Sequence, residues 1–554
     1  MRSLARLFVV LLVAFPGAAI GAGPGKGAVA SAHPLATQAG LEILAKGGNA
    51  FDAAVATSAA LGVVEPFSSG LGGGGFWLLH LEETDRDVFV DGRETAPGAA
   101  TRDMYLDANG DPVPRASLDG PLAAGIPGLP ATLVHVAGRY GRLPLSETLA
   151  PAIRLAREGF ALYERMHVGL TYKAALLGSY PASAEAFLVD GRVPDIGAVI
   201  RLPGLAVVME RLATGGFDGF YRGETARGIV DAVRANGGIF SLEDLAAYEV
   251  VEREPLYGRY RDVDLVLPPP PSAGGVAMIE ALNILAAYDL DRLDRPARIH
   301  LVVEALRRAF RDRALLGDPA FVEMPIGRLT DPDYAAGLAA TIRLDRATPS
   351  DVFAPLLSRD EGTHTTHFSV IDDDGNRVAA TQTINGWFGS GFVVPGLDLL
   401  LNNEMDDFSV KAGVPNLFKL VGADANAVGP GRRMLSSMTP AFLESSRGVA
   451  ILGTPGGSRI ISMVLLASLA WIDGATAAEM AALPRYHHQY LPDEIVHEPD
   501  AFTPAEAAFL EGLGHALRES GRRYGNLNVV TWDARTGEVE AAPDPRGEGA
   551  GRVY

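Results

Sequence analysis

The 554-residue chain is 48% hydrophobic and 21% charged, the balance of a globular protein with a large core rather than a disordered polymer. Its 67 acidic residues outnumber 48 basic ones, for a net charge of −19 without a compensating Lys/Arg run, which argues against nucleic acid as a partner. The absence of cysteine excludes a thiol nucleophile, thiolate metal sites and disulfides.

In chain order, Met1 to Arg6 is short and basic, Leu7 to Ala14 is almost wholly apolar, and small residues follow to Ala22. This is the pattern of a cleaved leader, residues 1–22, and it predicts export to the periplasm or medium. Pro16, Gly17 and Gly21 leave the apolar run short for a membrane span, and no later segment is long and apolar enough to supply one. A strand is expected at Gly27 to Ser31. A helix should follow, opened by Pro34 and stopped at Gly47-Gly48, with a second, alanine-rich helix from Ala50 to Val64. "SSGLGGGGFWLLHL" reads as a glycine-rich turn feeding an apolar strand, and without a following Lys-Ser/Thr it is not a phosphate loop.

The middle predicts helices over Leu145 to Glu158, Leu205 to Thr214 and Ala297 to Leu316. "PPPPSAGG" ends a strand before a helix starting near Val276. From Thr365 onward strands dominate: Thr366 to Ile371, Val378 to Asn385, Ala450 to Gly453 and Leu527 to Asp533, with a helix at Ser458 to Ile472. Neither a repeat nor a flexible linker divides the chain, so one intertwined α/β unit is expected.

Within it, "HTTHFSVIDDDGNRVAATQTINGWFG", His364 to Gly389, alternates as a β-hairpin. A two-residue Asp374-Gly375 loop sets Thr366 opposite Thr383; a one-residue change in loop length sets Thr365 there instead. "DDDGNR" lacks the glycine and glutamate spacing of an EF-hand, His364 and His367 lack the zinc-helix pattern, and there is no G-x-S-x-G elbow. A threonine hydroxyl is a weak nucleophile unless a base takes its proton. A chain cut before Thr365 would supply one, the threonine's own α-amine, whose ordinary pKa of roughly 7.7–8.0 suits neutral pH. A plain hairpin remains the other reading of the spacing alone.

The hairpin stretch resembles the signature of the γ-glutamyltranspeptidase family. "HPLATQAGLEILAKGGNAFDAAVA", "DGRETAP", "LLNNEMDDFSV", "RRMLSSMTPA", "GTPGGSRI" and "PRYHHQYLPDE" extend the resemblance over essentially the whole chain beyond the leader. It implies an N-terminal-nucleophile hydrolase fold, a four-layer αββα sandwich. It also implies self-cleavage between His364 and Thr365 into a large subunit, residues 23–364, and a small one, residues 365–554. The implied activity is transfer of a γ-glutamyl group from glutathione or a related compound to water or to an amino acid or peptide acceptor, with no metal and no cofactor.

By the same resemblance Thr365 is the nucleophile, Thr383 orients it, and the N–H groups of Gly456 and Gly457 form an oxyanion hole. Arg93, Ser436 and Ser437 take the donor's α-carboxylate; Asn385, Glu404 and Asp407 take its ammonium. Read without the family, "NNEMDDF" is merely an acidic, solvated loop. "VPNLFKLVGADANAVGP" resembles a lid, with Phe418 where an aromatic gate, often tyrosine, is expected. His487-His488 is read as structural. Two other readings stand beside this one: a glutaryl or cephalosporin-type acylase of the same family, and an unprocessed, inactive binding protein.

Overall fold

The computed structural model describes residues 23–353, 365–420 and 422–554. The leader and His364 lie outside these residues. Two stacked antiparallel sheets form the centre. The first runs Ala550–Val553, Ala28–Ser31, Thr366–Ile371, Arg377–Thr383, Gly74–Leu81, Arg86–Gly92, Val251–Arg253. The second runs Glu538–Ala542, Asn528–Asp533, Gly448–Gly453, Ala441–Ser445, Val263–Leu267, Leu256–Tyr260. Each sheet draws strands from both sides of position 364.

Alternation along one strand explains the layering. Trp77 and Leu79 join the core beneath the helices Pro34–Ala45 and Ala50–Val64. Phe76 and Leu78 join the core shared with the second sheet and the helices Gly274–Leu285, Arg295–Asp312 and Arg459–Ile472. Successive side chains of a strand point to opposite faces, so a sheet buried on both sides reads as a continuous apolar run. The outcome is helix, sheet, sheet, helix, the four layers the resemblance implies.

Local signals place most elements well. The helix Ala50–Val64 is found as expected, opened by an Asn49/Asp52 capping box. Leu145 to Glu158 is broken into Leu145–Thr148 and Ala150–Glu158, with Pro151 in the first turn of the second helix. The long helix ends at Asp312 and tightens into a 3-10 turn, Arg313–Leu315.

The hairpin resolves the register question. Gln382 pairs with Thr366, so one step further Thr365 stands beside Thr383. A five-residue connection replaces the two-residue turn because Asp372 Oδ1 accepts the N–H groups of Asp374, Gly375 and Asn376 at 2.9–3.1 Å. Asp372 Oδ2 also accepts the Ala50 N–H at 2.9 Å, tying the turn to a helix N-terminus. His367 is an inter-sheet core residue. Its ring lies 2.8 Å from Thr381 Oγ1 and 3.1 Å from Ser369 Oγ, and burial lowers its pKa to about 3, so it is neutral.

Candidate active site

Thr365 and Thr383, at the open end of the hairpin, line a cavity of about 290 Å³ between the two halves of the sandwich. The neighbouring strand approaches so closely that a Cβ on Gly73 would lie 2.0 Å from the Thr383 carbonyl oxygen. This is why glycines precede that strand. Beyond Thr383 the chain turns through Asn385 in a left-handed conformation, φ 67°. The Asn385 N–H donates to Thr383 Oγ1 at 2.8 Å, and its side-chain NH₂ donates to the Asn403 carbonyl at 2.9 Å.

The 3-10 turn Glu404–Asp407 is buried, which corrects the reading of "NNEMDDF" as a solvated surface. Asn402 pins it, accepting from the Gly125 and Glu404 N–H groups at 2.9 Å. Arg93 follows the strand Arg86–Gly92 and is fully buried. It pairs with Glu404 Oε1, with Asp407 Oδ2 at 2.5 Å, and through Nε with the Met434 carbonyl at 3.2 Å. Burial opposes its charge, but Glu404, Asp407 and Glu94 outweigh burial and raise its pKa above the ordinary arginine value. Burial likewise raises Glu404 and Asp407, and Arg93 counters that.

Two buried acceptors on this wall, Asn385 Oδ1 and Glu404 Oε2, have no hydrogen-bond partner among the described residues. Unpaired buried acceptors are costly unless a ligand donor meets them.

Ser436 and Ser437 face the same cavity, buttressed by the loop that follows the proline run. Ser436 N–H donates to the Pro271 carbonyl and its own carbonyl accepts from the Ala273 N–H, both at 2.8 Å. Ser436 Oγ accepts from the Met438 N–H at 3.1 Å, and Ser437 Oγ from Arg313 Nη2 at 3.4 Å. Each hydroxyl proton is therefore free to meet an acceptor. Arg313 also lines the cavity and was missed in the sequence, where "RRAFRDRALL" looks like one basic helix end.

Gly457 lines the cavity and Gly456 does not. Neither N–H donates a hydrogen bond among the described residues. Gly457 has φ 57°, and a Cβ there would lie 2.3 Å from the Phe418 ring. Side chains are doubly excluded, by backbone strain and by the Phe418 ring.

Phe418 and Leu420 line the cavity. The segment that carries them is held without a hydroxyl at position 418. Asn416 Nδ2 donates to Asp407 Oδ1 at 3.1 Å, and the Leu417 N–H to Asp406 Oδ2 at 2.8 Å. Gln489 Nε2 donates to the Phe418 carbonyl at 3.2 Å, while Gln489 Oε1 meets Ser458 Oγ at 2.6 Å and His487 Nε2 at 2.8 Å. The two adjacent histidines thus serve different ends. His487 braces the Phe418 segment through Gln489, while His488 lies 3.2 Å from Asp493, whose other oxygen accepts the Ser350 N–H at 2.7 Å.

Burial raises Asp406 to about 7, against an ordinary value near 4. Between these values the folded chain keeps a proton that the unfolded chain releases. Stability therefore falls as pH rises through this window, and the full penalty, at most about 4 kcal/mol, is present above pH 7. Asp406→Asn is expected to flatten that slope, melting higher than the parent at pH 8 and level with it at pH 4. Thermal unfolding at both pH values checks this.

A family model described as Gamma-glutamyltranspeptidase matches residues 36–554. The glutathione hydrolase proenzyme of Escherichia coli (strain K12) is 42% identical over 530 residues, covering 94% of this chain and 90% of its own. The Acylase ACY 1 proenzyme of Pseudomonas sp. (strain SE83) is 36% identical, covering 92% and 90%. Among solved structures, a cephalosporin acylase from Bacillus halodurans superposes with a TM-score of 0.83 at 28% identity, covering 99% of both chains.

Proposed function

This chain belongs to the gamma-glutamyltranspeptidase family, and from that premise we infer that it is a γ-glutamyltransferase with glutathione hydrolase activity, matured by cleavage at His364-Thr365. The observation that carries the reading is one cavity in which Thr365 and Thr383 meet a complementary set of charges. On one side stand acids and unpaired acceptors, Asn385, Glu404 and Asp407; guanidinium and hydroxyl donors and the apolar side chains of Phe418, Leu420, Met438 and Ile460 also line it. A γ-glutamyl donor carries an ammonium and a carboxylate on one carbon, and such a set suits both at once.

Maturation begins with attack of Thr365 Oγ on the His364 carbonyl carbon. The peptide C–N bond breaks as the ester forms, and water then hydrolyses the ester, leaving a His364 carboxylate and a free Thr365 amine. In turnover that amine takes the hydroxyl proton as Oγ attacks the γ-amide carbonyl. The oxyanion is met by the Gly456 and Gly457 N–H groups, a contribution of about 3–4 kcal/mol to the barrier. Collapse returns the proton to the leaving amine and leaves a γ-glutamyl ester on Thr365. Water or an acceptor amine resolves it. Arg93, Ser436 and Ser437 hold the α-carboxylate, and Thr383 keeps Thr365 aligned.

Two subunits from one precursor follow from the same reading. Among the described residues no helix is long and apolar enough to cross a membrane, and export rests on the apolar run of the leader. The glutaryl-acylase reading is favoured by the cephalosporin acylase superposition; the acids and unpaired acceptors favour an ammonium-bearing donor instead. N-terminal sequencing of the purified protein should yield a fragment beginning at Thr365. Any other start overturns the mechanism, and a preference for glutaryl over γ-glutamyl anilide overturns the substrate.

A further inference from the structure

A second cavity, of about 370 Å³, adjoins the first, and Phe418 lines both. Two stretches of chain pass from one to the other in a single step. Gly457 lines the first and Ser458 the second; Phe418 is followed by Lys419, which lines only the second. Three cations face this second space, Lys419, Arg459 and Arg518, against one carboxylate, Glu494, which accepts from Arg518 Nε at 2.7 Å. His487, also in the lining, is kept neutral by burial, which lowers its pKa to about 3. In a chain of net charge −19, an excess of positive charge gathered in one recess attracts an anion.

Lys419 is held there at a cost. Its backbone is left-handed, φ 61°, a conformation that strains a lysine, and the residue is buried. Asn416 builds the turn that imposes this. Its Oδ1 accepts the Phe418 and Leu420 N–H groups at 3.0 and 3.2 Å, and its carbonyl accepts the Lys419 N–H at 3.0 Å. Burial and the like charges of Arg518 and Arg459 lower the Lys419 pKa, with Glu494 opposing them. An anion entering among these cations relieves that crowding. We propose that Lys419, Arg459 and Arg518 form a second anion site, separate from the donor cavity, that takes the terminal carboxylate of the peptide joined to the acyl group. The first cavity accounts for the ammonium and carboxylate of the acyl half. The peptide half brings one further carboxylate, and the adjoining cavity offers the complementary charge. The enzyme thereby selects amides whose leaving group is a peptide with a free C-terminus.

The proposal rests on the γ-glutamyl reading for the acyl half, and two substrate pairs separate the claims: glutathione with its glycinamide, and glutaryl-Cys-Gly with its glycinamide. Within each pair only the terminal carboxylate differs. The matured parent is expected to favour the free acid by roughly 10-fold in kcat/KM, mostly through KM. Lys419→Asn removes the charge and places a residue that tolerates the left-handed backbone. It should mature into two fragments, melt no lower than the parent, and cut the preference to about threefold or less by slowing the acid alone. Lys419→Arg should keep the preference. A parent indifferent to the carboxylate, or a Lys419→Asn variant that slows acid and amide equally, would overturn the proposal. So would free succinate altering both rates equally in the parent and neither in Lys419→Asn, which would make the cavity an effector site. If only the glutaryl pair is turned over, the γ-glutamyl reading fails while the preference within that pair still decides the anion site. Turnover of neither pair overturns both.

Discussion

Thr365→Ala is expected to remain a single full-length chain on a denaturing gel and to lose turnover of γ-glutamyl anilide by at least about 10⁴-fold. One hydroxyl serves both steps, so both must fail together. The fold should survive, because the substitution removes only a hydroxyl and a methyl at a position just outside the strand Thr366–Ile371. The hairpin is held by other groups: Asp372 at its turn, His367 and Ser369 between the sheets, and Thr366 Oγ1 on Glu65 at 2.7 Å. Thr365→Ser supplies the control. It keeps the oxygen and should mature, with slower turnover because the methyl no longer restricts the side-chain rotamer. Cleavage persisting in the alanine variant would move the nucleophile elsewhere.

Signals that act between residues close together in the chain are legible without a structure. Pro34, the Gly47-Gly48 stop and the Asn49 cap act within a turn or two, and the helices they bound fall where expected. The hairpin is legible for the same reason, but its register is not. Whether Thr365 or Thr366 stands beside Thr383 depended on how many N–H groups one aspartate side chain collects. Of the described site residues singled out, all but Gly456 line one cavity, and family motifs found them where periodicity alone would not.

Burial was the illegible quantity. Glu404 and Arg93 are 311 positions apart, so "NNEMDDF" had every local mark of a wet loop until a distant strand delivered a cation to it. Arg313 escaped notice for the converse reason. Arg307 and Arg308 of the same run are buried against Glu304, and only the end of the helix decides that Arg313 reaches the cavity instead.

That pairing sets the second large effect. Asp407→Ala is expected to leave maturation intact while lowering kcat/KM on γ-glutamyl anilide by about 10²–10³-fold, and on glutaryl anilide by less than about tenfold. Asp407 holds two groups at once, Arg93 Nη2 at 2.5 Å and the lid's Asn416 Nδ2 at 3.1 Å. Its loss should therefore loosen the lid for every substrate and remove ammonium recognition for one class only. The common part of the fall measures the lid, and the difference between substrates measures the ammonium. Asp407→Asn separates them further, since an amide oxygen can still accept from Asn416 but brings no charge to an ammonium. If the two anilides fall equally in both variants, Asp407 belongs to the lid and not to the donor. The Glu404–Asp407 turn is buried against Arg93, and Glu404 Oε2 has no partner among the described residues, which argues for the opposite result. Those acids are held in place at the cost of desolvating them, and an incoming ammonium is the group that offsets it.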